Sequence, residues 1–244
     1  MKKIVKNNFK KITPLAIKNL AKRFIFFVSW DPWVSYSWAQ EGEDGILGRF
    51  FSDQQTGFYI DVGAHHPKRF SNTFAFYRRG WRGINIDAMP GLMKTFDKVR
   101  RRDINIEIGV GLKSCVLDYY LFNEPALNSF SKEISDERHL SASDYRITGI
   151  IPVKIRPLSL ILDEHLPKGQ VIDFMTIDVE GFDYDVLQSN DWKKYRPKII
   201  LVEILGSSMH EIQDSSIGRL MTAVGYVLYA KCINTVLFKA ASLK

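Results

Sequence analysis

The chain has few cysteines and no long apolar run. Cys115 and Cys232 stand far apart, outside any metal-binding or redox spacing. This argues against a disulfide scaffold and fits a reducing compartment. The apolar run from Phe24 to Trp30 is seven residues long, far below the roughly 20 that span a bilayer. It also lacks the small-residue cleavage site of a secretory signal. We therefore expect a cytoplasmic protein.

Acidic residues are missing from the first 23 positions, which carry eight basic side chains. From Phe24 onward, 26 basic and 27 acidic residues remain, so the net charge of +7 belongs to the amino-terminal segment. A neutral domain argues against nucleic-acid binding, which requires a basic groove. The local run Arg100-Arg101-Arg102 predicts either a solvated helix end or a contact with an acidic saccharide or phosphate.

Residues 1–30 are predicted to form a basic amphipathic arm. Thr13-Pro14 can start a helix, and apolar residues recur at i, i+3, i+4 and i+7 from Ile17 beside lysines. Such a helix can rest on an anionic membrane surface, which would place the protein peripherally on the cytoplasmic membrane face. The alternatives are a helix packed on its own domain and a partly disordered arm. We expect residues 31–244 to form one domain.

Three short apolar stretches each run into an Ile-Asp pair: FYIDVGAHHP at Asp61, GINIDAMP at Asp87 and FMTIDVEG at Asp178. Each is typical of a buried parallel strand followed by a turn and a helix. With DINIEIGVG as strand three and KIILVEIL as strand five, the pattern predicts an α/β fold with a doubly wound, mostly parallel sheet. GYVLYAKCINTVLFKA predicts a carboxyl-terminal antiparallel hairpin. Ligands bind at the carboxyl edge of such sheets, so the three acids outline one small-molecule site.

A long polar segment, residues 111–159, interrupts this alternation. It begins with a short predicted strand, LDYYLF, and continues with a serine-rich stretch that suits a loop or a small subdomain over the sheet edge. Connections of this length are usually lids or substrate-binding insertions, so we predict a substrate-binding region here. Its aromatic and amide side chains form either a sugar-binding surface or the core of the insertion; they are Tyr119, Tyr120, Phe122, Asn123, Asn128 and Phe130.

The loop after Asp61 indicates a nucleoside ligand without phosphates. It has one glycine, Gly63, where a dinucleotide-binding G-x-G-x-x-G loop has three. Asp87, 26 residues after Asp61, is placed to accept hydrogen bonds from both ribose hydroxyls. Asp61 can counter a nearby positive charge. S-adenosylmethionine, an adenosine with a cationic sulfonium, satisfies these constraints, whereas the missing glycines disfavour the alternative of a nicotinamide-dependent oxidoreductase.

These blocks together resemble the FkbM-type methyltransferases over roughly Gln40 to Leu205. The resemblance is carried by FYIDVGAHHP, by SNTFAFYRRGWRGINIDAMP and by MTIDVEGFDYDVLQSNDW followed by PKIILVEI. It implies a Rossmann-like class I fold with a seven-stranded sheet, S-adenosylmethionine as cofactor, and O-methylation, often of a saccharide hydroxyl on a glycan, polysaccharide or lipid-linked sugar. A non-enzymatic, membrane-associated scaffold is the alternative if the cofactor loop is degenerate.

The resemblance also implies which residues hold the cofactor, and all of them follow the ends of predicted strands. They are Asp61, Gly63 and Ala64 at the methionine end, Asp87 with its neighbour Ala88 at the ribose, Glu107, Ile108 and Gly109 at the adenine, and Asp178 near the transferred methyl group.

Methyl transfer to a hydroxyl also needs a base that accepts the hydroxyl proton. The candidates are His65, His66 and Asp178, and the histidines are favoured because their ordinary pKa lies near neutral pH. In the alternative interpretation neither group is catalytic. The histidines are solvated or cap a helix, and the helix dipole stabilises the acids Asp178 and Glu180 at the start of a helix. Asp178, Glu180 and Glu203 could bind a divalent cation through oxygen ligands, but a metal is not favoured because no histidine spacing accompanies them.

Overall fold

The computed structural model describes residues 34–141, 144–206 and 208–243. Residues 37–244 form one compact unit. The predicted amino-terminal arm, residues 1–30, lies outside the described residues, as does its predicted membrane contact. Among the described helices, none combines the length and the apolar character needed to cross a membrane.

The strands of this unit belong to two sheets. They are β1 (Phe58–Val62), β2 (Arg82–Asp87), β3 (Ile104–Glu107), β4 (Gly109–Val110), β5 (Cys115–Phe122), β6 (Ile147–Arg156), β7 (Phe174–Ile177), β8 (Ile199–Glu203), β9 (Tyr226–Lys231) and β10 (Thr235–Ala240). The larger sheet has seven strands in the order β3-β2-β1-β7-β8-β10-β9. Its first five strands pair in parallel, and β10 runs antiparallel to both β8 and β9. The predicted doubly wound, mostly parallel seven-stranded sheet with a carboxyl-terminal hairpin is confirmed.

Helices cover both faces of this sheet. The α-helices among the described residues are α1 (Glu43–Phe50), α2 (Phe74–Arg78), α3 (Met93–Val99), α4 (Lys132–Leu140), α5 (Leu158–His165), α6 (Asp183–Gln188), α7 (Met209–Asp214) and α8 (Ser216–Ala223), of which α4 belongs to the insertion. Successive strand residues face opposite sides, so Ile60 and Val62 pack in one core with α5, α6, α7 and α8. Tyr59 packs in the second core, with Leu47 of α1 and Phe76 of α2.

The insertion is a small subdomain built on a three-stranded sheet in the order β4-β6-β5. The predicted third strand is therefore wrong in one respect. It breaks after Glu107, and Gly109 and Val110 pair with Ile155 and Arg156 of the smaller sheet. The serine-rich stretch is also more regular than predicted, because it contains the short 3-10 helix Pro125–Leu127 and α4.

The arginine run before β3 does not form a uniform solvated face. Arg101 and Arg102 are exposed, as one alternative predicted. Arg100 is fully buried, where it can reach neither solvent nor an acidic ligand, so both predictions are wrong for this residue. Its guanidinium forms an ion pair with Asp103 at 3.0 Å, and both side chains are inaccessible to solvent.

Candidate active site

A cavity of about 450 Å³ lies at the carboxyl ends of β1, β2 and β7. This volume is within the range of roughly 300–1,000 Å³ that is usual for small-molecule sites. The cavity brings together nearly every residue that the sequence proposed for the site: Asp61, Gly63, Ala64, His65, His66, Asp87, Ala88, Ile108, Gly109 and Asp178.

Glu107 is the exception among the proposed cofactor residues. Its side chain is exposed, it does not line the cavity, and its Oε2 accepts a hydrogen bond of 2.7 Å from the Gly91 N–H. The chain turns away after β3, so Ile108, Gly109 and Val110 line the cavity in its place.

Gly63 ties the first loop to both neighbouring strands. Its backbone has a φ of 81°, and a Cβ here would lie 1.8 Å from the Asp178 carbonyl oxygen. The Gly63 and Ala64 N–H groups donate to the Ile86 carbonyl at 2.9 and 3.1 Å, and the Asp178 N–H donates to the Val62 carbonyl at 3.0 Å. Only glycine combines this φ with this approach, so the residue fixes the three strand ends around one cavity.

Asp87 is held rigidly by backbone donors. Its Oδ2 accepts from the His65 N–H and its Oδ1 from the Met89 N–H, both at 2.8 Å. Burial raises the pKa of this carboxyl, and the two backbone hydrogen bonds oppose that effect. Each carboxylate oxygen has a second lone pair, so Asp87 remains able to accept ligand hydroxyls.

Asp61 receives a hydrogen bond from a buried side chain. The Thr73 hydroxyl donates to Asp61 Oδ2 at 2.7 Å. Burial raises the pKa of Asp61 to about 6, while the Thr73 hydrogen bond and the nearby Arg100 charge act in the opposite direction. The carboxylate is therefore mostly ionised at neutral pH. Loss of the Thr73 hydrogen bond or of the Arg100 charge would raise its pKa further.

The two histidines differ in their contacts. His66 Nδ1 accepts hydrogen bonds from the Lys68 and Arg69 N–H groups at 3.1 and 2.8 Å, so it caps a turn and not a helix. His65 has a positive φ of 49°, and its buried Nε2 has no hydrogen-bond partner among the described residues. Burial and, secondly, the charge of Arg69 lower the pKa of both rings, so both are neutral at pH 7.

Three acids meet beside the cavity. Oxygen atoms of Asp178, Glu180 and Glu203 all lie within 4.8 Å of one another. Burial and then the neighbouring Glu203 and Glu180 raise the pKa of Asp178 well above its ordinary value. Burial and the nearby Glu180 raise the pKa of Glu203 to about 8. Arg138 forms an ion pair with Glu180. The cluster thus has a strong tendency to hold protons, and its oxygens are also of the kind that hard divalent cations bind.

The insertion contributes one wall of the cavity. Tyr119, Asn128 and Phe130 line it, whereas Tyr120 and Phe122 are buried and do not. The Tyr119 and Phe130 rings lie 4.6 Å apart. Asn128 Oδ1 accepts from the Phe122 N–H at 2.7 Å, and its Nδ2 lies 3.6 Å from the Met89 sulfur. The aromatic and amide pattern therefore divides between the cavity wall and the core of the insertion.

Asn72 and Thr176 are further cavity residues, and neither was predicted from the sequence. Both line the cavity, and Asn72 Nδ2 donates to Thr176 Oγ1 at 3.0 Å. The buried Asn72 Oδ1 has no partner among the described residues. The segment Ser71-Asn72-Thr73 has the composition of a helix cap and directly follows the first loop. This position is the sequence signal that could have placed Asn72 at the cavity.

Comparisons with known proteins give a family. The family model described as the methyltransferase FkbM domain matches residues 61–228. A solved structure of a TehB-like SAM-dependent methyltransferase from Corynebacterium glutamicum ATCC 13032 Kitasato is similar at 9% sequence identity with a TM-score of 0.42. That alignment covers 93% of this chain and 100% of the other. No match was found among curated proteins.

The family model covers more than half of the chain and includes Asp61, Asp87 and Asp178. It also includes β2 and β7, the strands that lead to Asp87 and Asp178. It favours methyl transfer over the oxidoreductase and scaffold alternatives, and it agrees with the resemblance in the sequence blocks. The chain therefore belongs to the FkbM family of methyltransferases.

Proposed function

We propose that the protein transfers a methyl group from S-adenosylmethionine to a hydroxyl group of a saccharide, such as a glycan, a polysaccharide or a lipid-linked sugar. The observation that carries the proposal is that Asp61 and Asp87 line one cavity at the carboxyl edge of the sheet. A ligand with two vicinal hydroxyls and a positive charge matches this pair of buried acids better than a pyrophosphate does.

The residues of the cavity fit this cofactor in shape as well as in charge. Gly63 lets the first loop pack directly against the Asp178 backbone at the cavity, and Ile108, Gly109 and Val110 offer an apolar and backbone surface for a base. Asp87 would hold the ribose, and Asp61 would face the charged methionine end. When bound, the cofactor supplies an electrophilic methyl group.

Asp178 is the base that the geometry supports best. His66 Nδ1 already accepts two backbone hydrogen bonds, so its other ring nitrogen carries the proton and cannot accept one. His65 Nε2 is enclosed by protein. Asp178, in contrast, lines the cavity and is accessible there, although protein atoms surround its carboxyl group. Desolvation by the surrounding protein and then the adjacent acids raise its pKa, so its carboxylate, when ionised, is a stronger proton acceptor than an ordinary one.

The cavity wall supports a saccharide acceptor. Tyr119 and Phe130 provide aromatic surface next to the amide of Asn128, and Phe70 lies at the cavity with 42% of its surface exposed. Sugars present apolar C–H faces and hydroxyl edges, so aromatic and amide side chains complement them. We retain the insertion, residues 111–159, as the proposed acceptor-binding region, with part of it also enclosing the cofactor.

Labelled S-adenosylmethionine tests the proposal. The purified full chain is incubated with the labelled cofactor and with separate fractions of surface polysaccharide, lipid-linked glycan, protein and nucleic acid. We expect base-stable label in a saccharide fraction and none with Asp178→Asn. Label in the protein or nucleic-acid fraction would contradict the acceptor class, and failure of the chain to bind the cofactor would contradict the whole proposal.

A further inference from the structure

A buried cation lies behind the cavity wall. Arg100 is fully inaccessible, and its guanidinium contacts the rings of Tyr59, Phe74 and Tyr77 at 5.6, 5.4 and 4.9 Å from the ring centres. Asp103 balances its charge through the 3.0 Å ion pair. Burying a charge costs free energy unless the charge is paired and hydrogen-bonded. The three rings and Asp103 together hold the guanidinium in one place.

Thr73 connects this cation to the cavity. The side chain is fully buried, Arg100 Nη2 donates to its Oγ1 at 2.5 Å, and Oγ1 lies 2.7 Å from Asp61 Oδ2. Arginine can only donate, so the Thr73 oxygen is the acceptor in the first contact. Its single proton is then directed to Asp61. Ser71 Oγ, 3.2 Å from Thr73 Oγ1, accordingly points its own proton toward Thr73.

Asp61 depends on this connection because its other charged neighbours are acids. Asp87, Asp103 and Asp178 all repel its negative charge, and burial acts in the same direction. The Thr73 hydroxyl is the one hydrogen-bond donor to its carboxylate among the described residues. Oδ1 consequently stays available to a ligand, while Oδ2 is fixed from behind.

We propose that Thr73, polarised by Arg100, is a positioning residue that keeps the Asp61 carboxylate ionised and oriented toward the cofactor. The inference rests on the proposed function in one respect, namely that Asp61 faces the charged end of S-adenosylmethionine. Thr73 itself acts through Asp61 and does not touch the ligand.

Thr73→Val tests the inference because valine has nearly the shape of threonine and neither donates nor accepts hydrogen bonds. The affinity for S-adenosylmethionine is measured by titration calorimetry between pH 5 and pH 8. In the wild type we expect affinity to fall with decreasing pH near 6, where Asp61 takes up a proton. In Thr73→Val we expect this midpoint about one to two pH units higher, since a hydrogen bond to a charged group is lost. The affinity at pH 7 falls by roughly 2-fold to 10-fold accordingly.

Matched variants separate this effect from general destabilisation. Thr73→Ser keeps the hydroxyl and should restore the wild-type midpoint. Ser189→Ala removes another buried hydroxyl, which accepts from the Leu158 N–H at 3.0 Å and donates to the Val186 carbonyl at 2.8 Å outside the cavity. It should lower the unfolding temperature without moving the midpoint.

The outcomes distinguish a failure of the proposed function from a failure of the inference about Thr73. A wild-type chain that does not bind S-adenosylmethionine overturns the proposed function. Binding with the same midpoint in Thr73→Val and wild type overturns the inference about Thr73. If Thr73→Val does not fold, Thr73→Ala decides: the inference requires the midpoint of this variant to lie above the wild-type value near pH 6, and an unchanged midpoint refutes it.

Discussion

Replacing Asp87 by asparagine removes the charge of the proposed ribose acid with little change in shape. In the wild type, one carboxylate oxygen accepts from the His65 N–H and the other from the Met89 N–H, both at 2.8 Å. An amide has one oxygen and one NH₂ group. In Asp87→Asn, one of the two backbone donors therefore faces another donor.

The magnitudes follow from these contacts. Loss of one hydrogen bond to a charged acceptor costs about 1.5–3 kcal/mol. The neutral amide partly offsets this loss because burial disfavours the charged carboxylate, as the raised pKa of Asp87 shows. We expect a net loss of about 1–2 kcal/mol in the free energy of unfolding. Cofactor binding loses a charged acceptor as well, so affinity should fall by roughly 10-fold to 100-fold.

Calorimetric titration with S-adenosylhomocysteine measures the binding effect, and urea unfolding measures the stability. Glu107→Gln is the matched control. This acid also ends a strand and accepts one backbone hydrogen bond, from Gly91, but it lies outside the cavity lining. Its substitution should leave affinity within about 2-fold of the wild type. A folded Asp87→Asn with unchanged affinity, or an equal loss in Glu107→Gln, would refute the reasoning.

Three further predictions concern the same edge of the sheet. Gly63→Ala should lower the free energy of unfolding by about 3 kcal/mol or more in urea, since it combines a φ of 81° with a Cβ contact of 1.8 Å. Gly80→Ala, at φ 96° with open space around it, should cost only the strain of roughly 1–2 kcal/mol; equal losses would contradict the steric argument. Asp178→Asn should reduce kcat by roughly 10²-fold to 10⁴-fold with cofactor affinity kept within about 3-fold, whereas a mere rise in KM would speak against a base. The pKa of Glu203 is raised from 4.5 to about 8 in the folded state. Between pH 4.5 and pH 8 the folded chain therefore holds a proton on Glu203 that the unfolded chain has lost. The contribution of Glu203 to the free energy of unfolding consequently falls as the pH rises through this range. Glu203→Gln should therefore stabilise the protein by roughly 2–4 kcal/mol more at pH 9 than at pH 4; parallel unfolding profiles for variant and wild type would contradict this.

The sequence was sufficient for the strands that end at the cavity. Asp61, Asp87 and Asp178 follow short apolar runs, and burial of a parallel strand on both faces imposes such runs locally. The carboxyl-terminal hairpin was equally readable because its two apolar runs are separated by a short turn. Since parallel strands place their carboxyl ends at one edge, the common site of these acids followed from the strand assignment.

The tertiary structure decided what depends on pairing between distant segments. Gly109 leaves the main sheet because it pairs with Ile155, a partner 46 residues away, and this removes Glu107 from the cavity. Arg100 is buried because the rings of Tyr59, Phe74 and Tyr77, which come from β1 and α2, surround it, while its ion-pair partner Asp103 is only three residues away. A local charge run cannot reveal such distant rings.

What the sequence by itself determined is thus the α/β sheet, the identity of the acids at its edge and the family. What only the tertiary structure decided is which side chains share their protons and charges: Thr73 with Asp61, and Asp178 with Glu203. The physical reason is range. Strand periodicity and turn chemistry act between neighbours in the chain, whereas burial, hydrogen bonding and charge depend on neighbours in space.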